Sequence, residues 1–299
     1  MFIMPLWLMN ALNGILSLLL VFTSSGSMIA YEAPSPPDTA GVEYTMPQPL
    51  TVMSFNVWAP GRDSFGQRLP GVVQTILDVM PDSFGLQEAD DIWRGNLKRE
   101  LKDTYAIACD VGRMFGVHEG TPIFYLKEKY KLIDQGVFWL SDRPRLPSKA
   151  WGANLPRIAG WAILEDRETG FTYVHFNAHF DHQSDLARTN SARLIADRIN
   201  AMSLPAVLTG DMNCQPNERP ADYLAAGGLL DLRAAAGEAD EGRTYHNYKE
   251  TGGSVIDYVY ANHYLREPET ARFWVIRGEY NGMYPSDHYA VAARLTLAN

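Results

Sequence analysis

From Leu50 to Leu297, short β-forming runs alternate with amphipathic helical periods, and this alternation limits the chain to an α/β architecture. Leu50–Val57, Asp82–Gln87 and Tyr105–Val111 read as strands. Between the first two, Val72, Ile76 and Met80, flanked by Val73 and Leu77, recur at helical spacing and stop at Pro81. A second helix is predicted over Trp93–Leu101, and Ala192, Ile195, Ile199 and Met202 mark one face of another entered near Ser184. Pro122–Leu126 and Leu132–Leu140 are expected as neighbouring antiparallel strands. So are Ala162–Leu164 and Phe171–Phe180, turned by Glu168-Thr169-Gly170. Pro205–Leu208, Val255–Tyr260, Arg272–Ile276 and Tyr289–Leu297 complete the strand set. No internal repeat, charge run or interior linker interrupts the pattern, so one catalytic domain is expected over residues 50–299.

The sequence ahead of this domain is of another kind. Leu6–Phe22 is almost wholly apolar, Ser24–Ser27 is small and polar, and no Lys or Arg precedes Arg62. The pattern reads as a secretory signal over residues 1–30, followed by a Pro-rich linker over 31–49. The basic n-region is absent, which leaves an uncleaved membrane anchor or a start at Met28 as alternatives. A periplasmic or extracellular location is expected. The 26 basic and 35 acidic residues leave a net charge of −9, which disfavours tracking of duplex nucleic acid through many phosphate contacts. Local binding of one phosphate ester is compatible with that charge. Cys109 and Cys214 read as small buried hydrophobes rather than a disulfide framework. Nothing points to a protein partner, and a monomer is expected.

Candidate chemistry sits in six short segments at or just past strand ends, where α/β folds place their sites. They are Ser54-Phe55-Asn56, Gln87-Glu88, Asn177-Ala178-His179, Gly210-Asp211-Met212-Asn213, Ile256-Asp257-Tyr258 and Ser286-Asp287-His288. Alternation puts His175, Asn177, His179 and Asp181 on one face, and Asp211 with Asn213 on another. Each segment alone has a plain structural reading: a solvated Gln-Glu, a structural His, a Gly-Asp-x-Asn turn, a Ser-Asp cap. Their joint order along one chain is what those readings leave unexplained. Asn56, Glu88 and Asp287 offer the oxygen ligands that a hard cation such as Mg2+ prefers.

In sequence and spacing the six segments resemble the signature of the endonuclease/exonuclease/phosphatase, or DNase I-like, superfamily. The most specific parts are Gly210-Asp211-x-Asn213 and Ser286-Asp287-His288. Pro122-Ile-Phe-Tyr125, Phe138-Trp-Leu-Ser141, Pro156-Arg157-x-x-x-Trp161 and Phe176-Asn-Ala-His-Phe-Asp181 look like a secreted bacterial branch. The resemblance implies a four-layer α/β sandwich, two mixed β-sheets face to face with helices outside. It implies a metal-dependent phosphoester hydrolase using Mg2+, with Mn2+ as the alternative, and in-line attack of an activated water. Glu88, Asn56 and Asp287 match the metal site. Asp211 matches the residue that activates water, and Asn213 the one that steadies it. His288 is implied to be held by Asp257. His179 is a phosphate ligand or leaving-group acid, oriented by Glu119. Arg113 and Arg157 are expected phosphate contacts. The expected substrate is a small, carbohydrate- or lipid-linked phosphodiester. An extracellular nuclease is the first alternative, and a phosphate- or metal-binding module without turnover the second.

Overall fold

The computed structural model describes residues 49–59, 64–111, 120–240, 242–265 and 271–296. The expected signal segment 1–30 and linker residues 31–48 lie outside them, as do Arg113 and Glu119. The elements run β1 (Leu50–Asn56), α1 (Phe65–Val79), β2 (Ser83–Gln87), α2 (Asp91–Glu100), β3 (Tyr105–Ala108), β4 (Ile123–Leu126), β5 (Tyr130–Trp139), β6 (Ile158–Asp166) and β7 (Thr172–His179). They continue with α3 (Asp185–Met202), β8 (Ala206–Asp211), α4 (Arg219–Ala226), β9 (Leu229–Asp231), α5 (Leu232–Ala235), β10 (Glu238–Ala239), β11 (Asp257–Asn262), β12 (Arg272–Ile276) and β13 (Ala290–Leu295).

Two mixed sheets form, one of seven strands in the order β10-β12-β13-β1-β2-β4-β3, the other of six in the order β5-β6-β7-β8-β11-β9. β1 and β2 pair in parallel, as do β7 and β8. Parallel neighbours need a crossover, which α1 and α3 supply. The helices stop and start where local chemistry dictates. α1 ends on Met80 in the left-handed region, just before Pro81. Asp90 caps α2 through Ile92 N and Trp93 N, and Ser184 caps α3 through Ala187 N.

Three apolar layers follow. Val72, Ile76, Trp93 and Leu97 of α1 and α2 pack with Met53, Phe55, Phe84 and Phe124 of the seven-stranded sheet. Ala192, Ile195 and Ile199 of α3 pack with Val174, Phe176, Ala178 and Leu208 of the six-stranded one. Val52, Tyr173, Val207, Val259 and Val291 fill the space between the sheets. Each fully buried Val, Leu, Ile, Phe or Met side chain among them contributes roughly 1.5–3 kcal/mol. This is the expected four-layer sandwich.

The inward-facing positions turn polar toward one end along four strands, β1, β7, β8 and β11. In β1 they read Val52, Ser54, Asn56; in β7, Tyr173, His175, Asn177, His179; in β8, Val207, Thr209, Asp211; and in β11, from its far end, Ala261, Val259, Asp257. The buried polar atoms are satisfied across the sheet gap. Tyr173 Oη donates to Ser83 Oγ (2.9 Å), Ser83 Oγ lies 2.7 Å from His175 Nδ1, and His175 Nε2 lies 2.8 Å from Thr209 Oγ1. Thr209 Oγ1 donates to Asn177 Oδ1 (3.1 Å). The chain is donor-consistent when His175 is neutral with its proton on Nε2. Gly85 lets the sheets meet here, since a Cβ would stand 2.3 Å from the Asn177 and Thr209 side chains.

Burial depresses the His175 imidazole to about 3. The unfolded chain, with an ordinary histidine near pH 6.5, therefore binds a proton that the folded chain refuses. Stability from this residue is complete above pH ~6.5 and is lost as pH falls toward 3, at a slope approaching ~1.4 kcal/mol per pH unit. Urea midpoints of wild type and His175→Gln across pH 3–7 check this. The acid slope should flatten in the variant, and parallel curves would refute the neutral buried imidazole.

One expected pairing is corrected. Pro122–Leu126 and Leu132–Leu140 do not pair: β4 lies between β2 and β3, and β5 forms an edge of the other sheet. Ile123, Phe124 and Tyr125 are all buried, so β4 needs cover on both faces, whereas β5 exposes Lys131, Ile133, Asp134 and Gln135, as an edge strand can. The chain changes sheets at residues 127–129, where Lys129 Nζ meets Asp82 Oδ1 at 2.5 Å. The β6–β7 hairpin forms as expected, with Gly170 at φ 74° and Asp166 Oδ1 accepting from Glu168 N and Thr169 N. β3 ends early, at Ala108, because Cys109 takes φ 56°. Both cysteines are buried free thiols, and burial pushes each up to about 12.

Candidate active site

Strand direction brings the polar segments to one end of the sandwich. β1, β2, β7 and β8 end there, while β11 and β13, antiparallel to β8 and β1, begin there. The register is specific: His179 and Asp257 both stand opposite Asp211, making a three-residue row across β7, β8 and β11. His288 completes the cluster from the start of β13.

Asp211 is fixed on both oxygens. Its Oδ1 accepts from Asn213 N (2.9 Å) and its Oδ2 from Asn56 Nδ2 (3.0 Å). Two imidazole Nε2 atoms face the same Oδ2, His179 at 3.5 Å and His288 at 3.8 Å. Asn213 takes φ 47°, in the left-handed region that Asn enters more readily than most residues, and its Nδ2 donates to Phe180 O (3.1 Å). The implied pairing of Asp257 with His288 is present, with His288 Nδ1 donating to Asp257 Oδ2 at 2.9 Å. Burial opposes charge on His288, but Asp257, with Asp211 and Asp287, overcomes it and raises the imidazole to about 10.

The oxygen-rich side of the site lies at the ends of β1 and β2. Asn56 Nδ2 donates to Glu88 Oε1 (3.1 Å), and Glu88 Oε2 accepts from Ala59 N (3.0 Å). Glu88 has φ 57°, which lifts it out of the strand path. Burial pushes the Asp287 carboxyl up to about 6, with Glu88 adding to burial and His288 opposing it. A buried Asp287 carboxyl raised further by the charge of partly buried Glu88 fits a divalent cation, for which Asn56, Glu88 and Asp287 would supply the hard oxygen donors. Ligand atoms of Asp211, Asp257 and His288 also lie within 4.8 Å of one another. That second group is also a hydrogen-bonded network, in which Asp257 Oδ2 holds His288 Nδ1 and leaves Nε2 facing Asp211.

Arg157 is buried, and its guanidinium donates to His179 Nδ1 (2.9 Å) and His182 Nδ1 (3.4 Å). A cation donating to Nδ1 places the His179 proton on Nε2, aimed at Asp211. The expected partner Glu119 and the expected phosphate contact Arg113 lie outside the described residues.

Sequence reading missed two groups. The first is Arg68, 2% exposed on α1, which donates to Val57 O (2.8 Å), Trp58 O (2.9 Å), Pro285 O (3.2 Å) and Ser64 Oγ (3.1 Å). It ties the segment after β1 to the one before Asp287. Its signal was available: Arg68, Val72 and Ile76 recur every four residues, so the arginine shares their buried face. The second is the segment Thr244–Ser254. Thr244 Oγ1 accepts from Asp257 N (3.1 Å), and His246 N and Asn247 N both donate to Asp287 O at 3.0 Å. Tyr245 packs its ring 4.8 Å from that of His288.

Fold and site define a DNase I-like α/β sandwich with a carboxylate–histidine centre at one end. The chain belongs to the Endonuclease/Exonuclease/phosphatase family, which it matches over residues 53–288. Among solved structures it resembles a family member from Bacteroides thetaiotaomicron, 29% identical with a TM-score of 0.75, over 85% of this chain and 100% of that one. A mannosyl-6-phosphatase from the same organism is 30% identical, TM-score 0.74, over 83% and 100%. A relative from Bacteroides vulgatus is 26% identical, TM-score 0.73, over 84% and 100%. No curated protein matches.

Proposed function

We propose that this protein is a metal-dependent phosphoester hydrolase that attacks a small carbohydrate-bearing phosphate with water. The observation that carries the reading is the fixed Asp211 carboxylate with two imidazole nitrogens converging on its Oδ2 at 3.5 and 3.8 Å. A carboxylate held by Asn56 and Asn213 N is poised to align water and take its proton. As the water oxygen bonds to phosphorus, the ester P–O bond breaks and the alcohol oxygen leaves. His288, an imidazolium braced by Asp257, offers a proton and positive charge to that centre. His179, with Nδ1 taken by Arg157, donates its Nε2–H as a phosphate ligand. Asn56, Glu88 and Asp287 would hold Mg2+ or Mn2+, which polarises a phosphoryl oxygen when bound. Cys214 is buried in the core layer beneath α3, and burial pushes its thiol up to about 12, so it offers no thiolate nucleophile.

The relative named as a mannosyl-6-phosphatase supports a sugar phosphate as substrate and favours the monoester. The net charge of −9 weighs against nucleic acid. The apolar segment Leu6–Phe22 supports an exported enzyme. The mature protein should be assayed with Mg2+ and Mn2+ on a hexose 6-phosphate, p-nitrophenyl phosphate, bis-p-nitrophenyl phosphate, sphingomyelin, and single-stranded and duplex DNA. Phosphate release from the two monoesters should dominate. Preferred cleavage of DNA would replace this reading with a nuclease, and phosphate binding without turnover on any ester would make it a binding module.

A further inference from the structure

Two aromatic side chains that this reaction leaves unused stand at the rim of the site. Trp58 N donates to Asn56 Oδ1 (3.0 Å), and the next amide, Ala59 N, donates to Glu88 Oε2 (3.0 Å). Trp58 is therefore bracketed by backbone bonds to two residues of the oxygen-rich side. Tyr248 arrives from the other direction, two residues after His246, whose N–H holds the Asp287 carbonyl. The two rings meet edge to face, with centroids 5.3 Å apart and planes at 60°.

Their setting is strained. Trp58 and Tyr248 take φ of 56° and 55°, in the left-handed region that bulky residues avoid, and Asn247 joins them at 49°. Arg68 supports the pair from below: its Cζ lies 4.8 Å from the Trp58 ring, and its guanidinium hydrogen-bonds Tyr248. A buried cation with so many bonds is a costly prop for a tyrosine that ends up 40% exposed. Packing alone does not require that exposure, and Tyr248 contributes nothing to the acid–base pairs.

The rings meet edge to face and Arg68 lies over the Trp58 ring, so Tyr248, 40% exposed and braced by Trp58, is the ring left to meet a substrate. An aromatic face packs against the C–H bonds of a sugar ring, the uncharged half of a sugar phosphate. We propose that Trp58 and Tyr248 form the specificity wall of the site, reading the pyranose ring of a sugar phosphate whose phosphate lies at the Asp211–His288 centre. The proposal deepens the hydrolase reading and rests on it.

Tyr248 is 40% exposed, and an unfolding midpoint near wild type for Tyr248→Ala would show that the fold survives its replacement. Tyr248→Ala should raise KM for a hexopyranose 6-phosphate roughly tenfold, the scale of a lost ring contact. Its kcat should stay near wild type, and KM for glycerol 3-phosphate, which has no ring, should not move. Tyr248→Phe, which keeps the ring, should restore the sugar-phosphate KM. Equal KM changes on both esters, no change on the sugar ester, or a larger change on a nucleoside 5′-monophosphate would overturn the wall. If wild type hydrolyses neither ester, the hydrolase reading fails separately. The wall is then decided by calorimetry of hexose 6-phosphate with Mg2+, where loss of affinity in Tyr248→Ala supports it and unchanged or absent binding overturns it.

Discussion

Chelation with EDTA should abolish phosphoester hydrolysis, and Mg2+ or Mn2+ should restore it. A bound cation supplies several kcal/mol of charge stabilisation at a phosphoryl oxygen, and each 1.36 kcal/mol is tenfold in rate, so the loss should reach at least ~10³-fold. The structure says which residue should control the titration. Glu88 is only partly buried, with its two oxygens held by Asn56 Nδ2 and Ala59 N, and its charge adds to the burial that raises Asp287. Glu88→Gln keeps the shape and removes the charge. The metal concentration for half-maximal rate should rise sharply, while unfolding midpoints without metal should change little. Turnover that resists EDTA would end the metal-dependent reading, and an unchanged titration in Glu88→Gln would take Glu88 out of the site.

The site was legible in sequence partly through strand periodicity. Asn56, His179, Asp211 and Asp257 are inward positions at strand ends; alternation places His179 and Asp211, while Asn56 and Asp257 were reached through the family resemblance of their segments. The same period contained more than was read from it. Inward positions become steadily more polar toward the site, and Arg68 repeats at the spacing of Val72 and Ile76. A charged residue on a buried helical face must be paired, and here it serves the two segments that lead from β1 and into Asp287. The segment Thr244–Ser254 was out of reach for a different reason. Tyr245 reaches His288 through an isolated bridge 43 positions away in sequence, and irregular backbone has no period to betray which way a side chain points. The β4–β5 error has a similar origin. Two β-rich runs close in sequence look like a hairpin, and only the full burial of β4 reveals that its neighbours come from elsewhere.

Asp211→Asn separates catalysis from binding and tests the centre of the site. The substitution preserves volume, and an amide can still accept from Asn213 N or Asn56 Nδ2, so metal and phosphate affinity should stay near wild type. The lost function is proton acceptance from water, and the chemical step should fall by roughly 10²–10⁴. His179 provides the internal control. With Arg157 donating to its Nδ1 at 2.9 Å, His179 carries its proton on Nε2 and would have to become an imidazolate to act as an acid. His179→Ala should therefore slow an alkyl phosphate and p-nitrophenyl phosphate by the same factor, because a phosphate ligand serves both equally. A leaving-group acid would matter for the alkoxide and hardly for p-nitrophenolate, which departs without help. Any such leaving-group dependence should appear instead in His288→Gln, which removes the imidazolium that Asp257 sustains. Single-turnover rates of the three variants on both esters, with binding measured by calorimetry, decide the assignment. A His179 penalty confined to the alkyl ester would exchange the roles of the two histidines. Near-normal turnover in Asp211→Asn would remove water activation from Asp211 altogether.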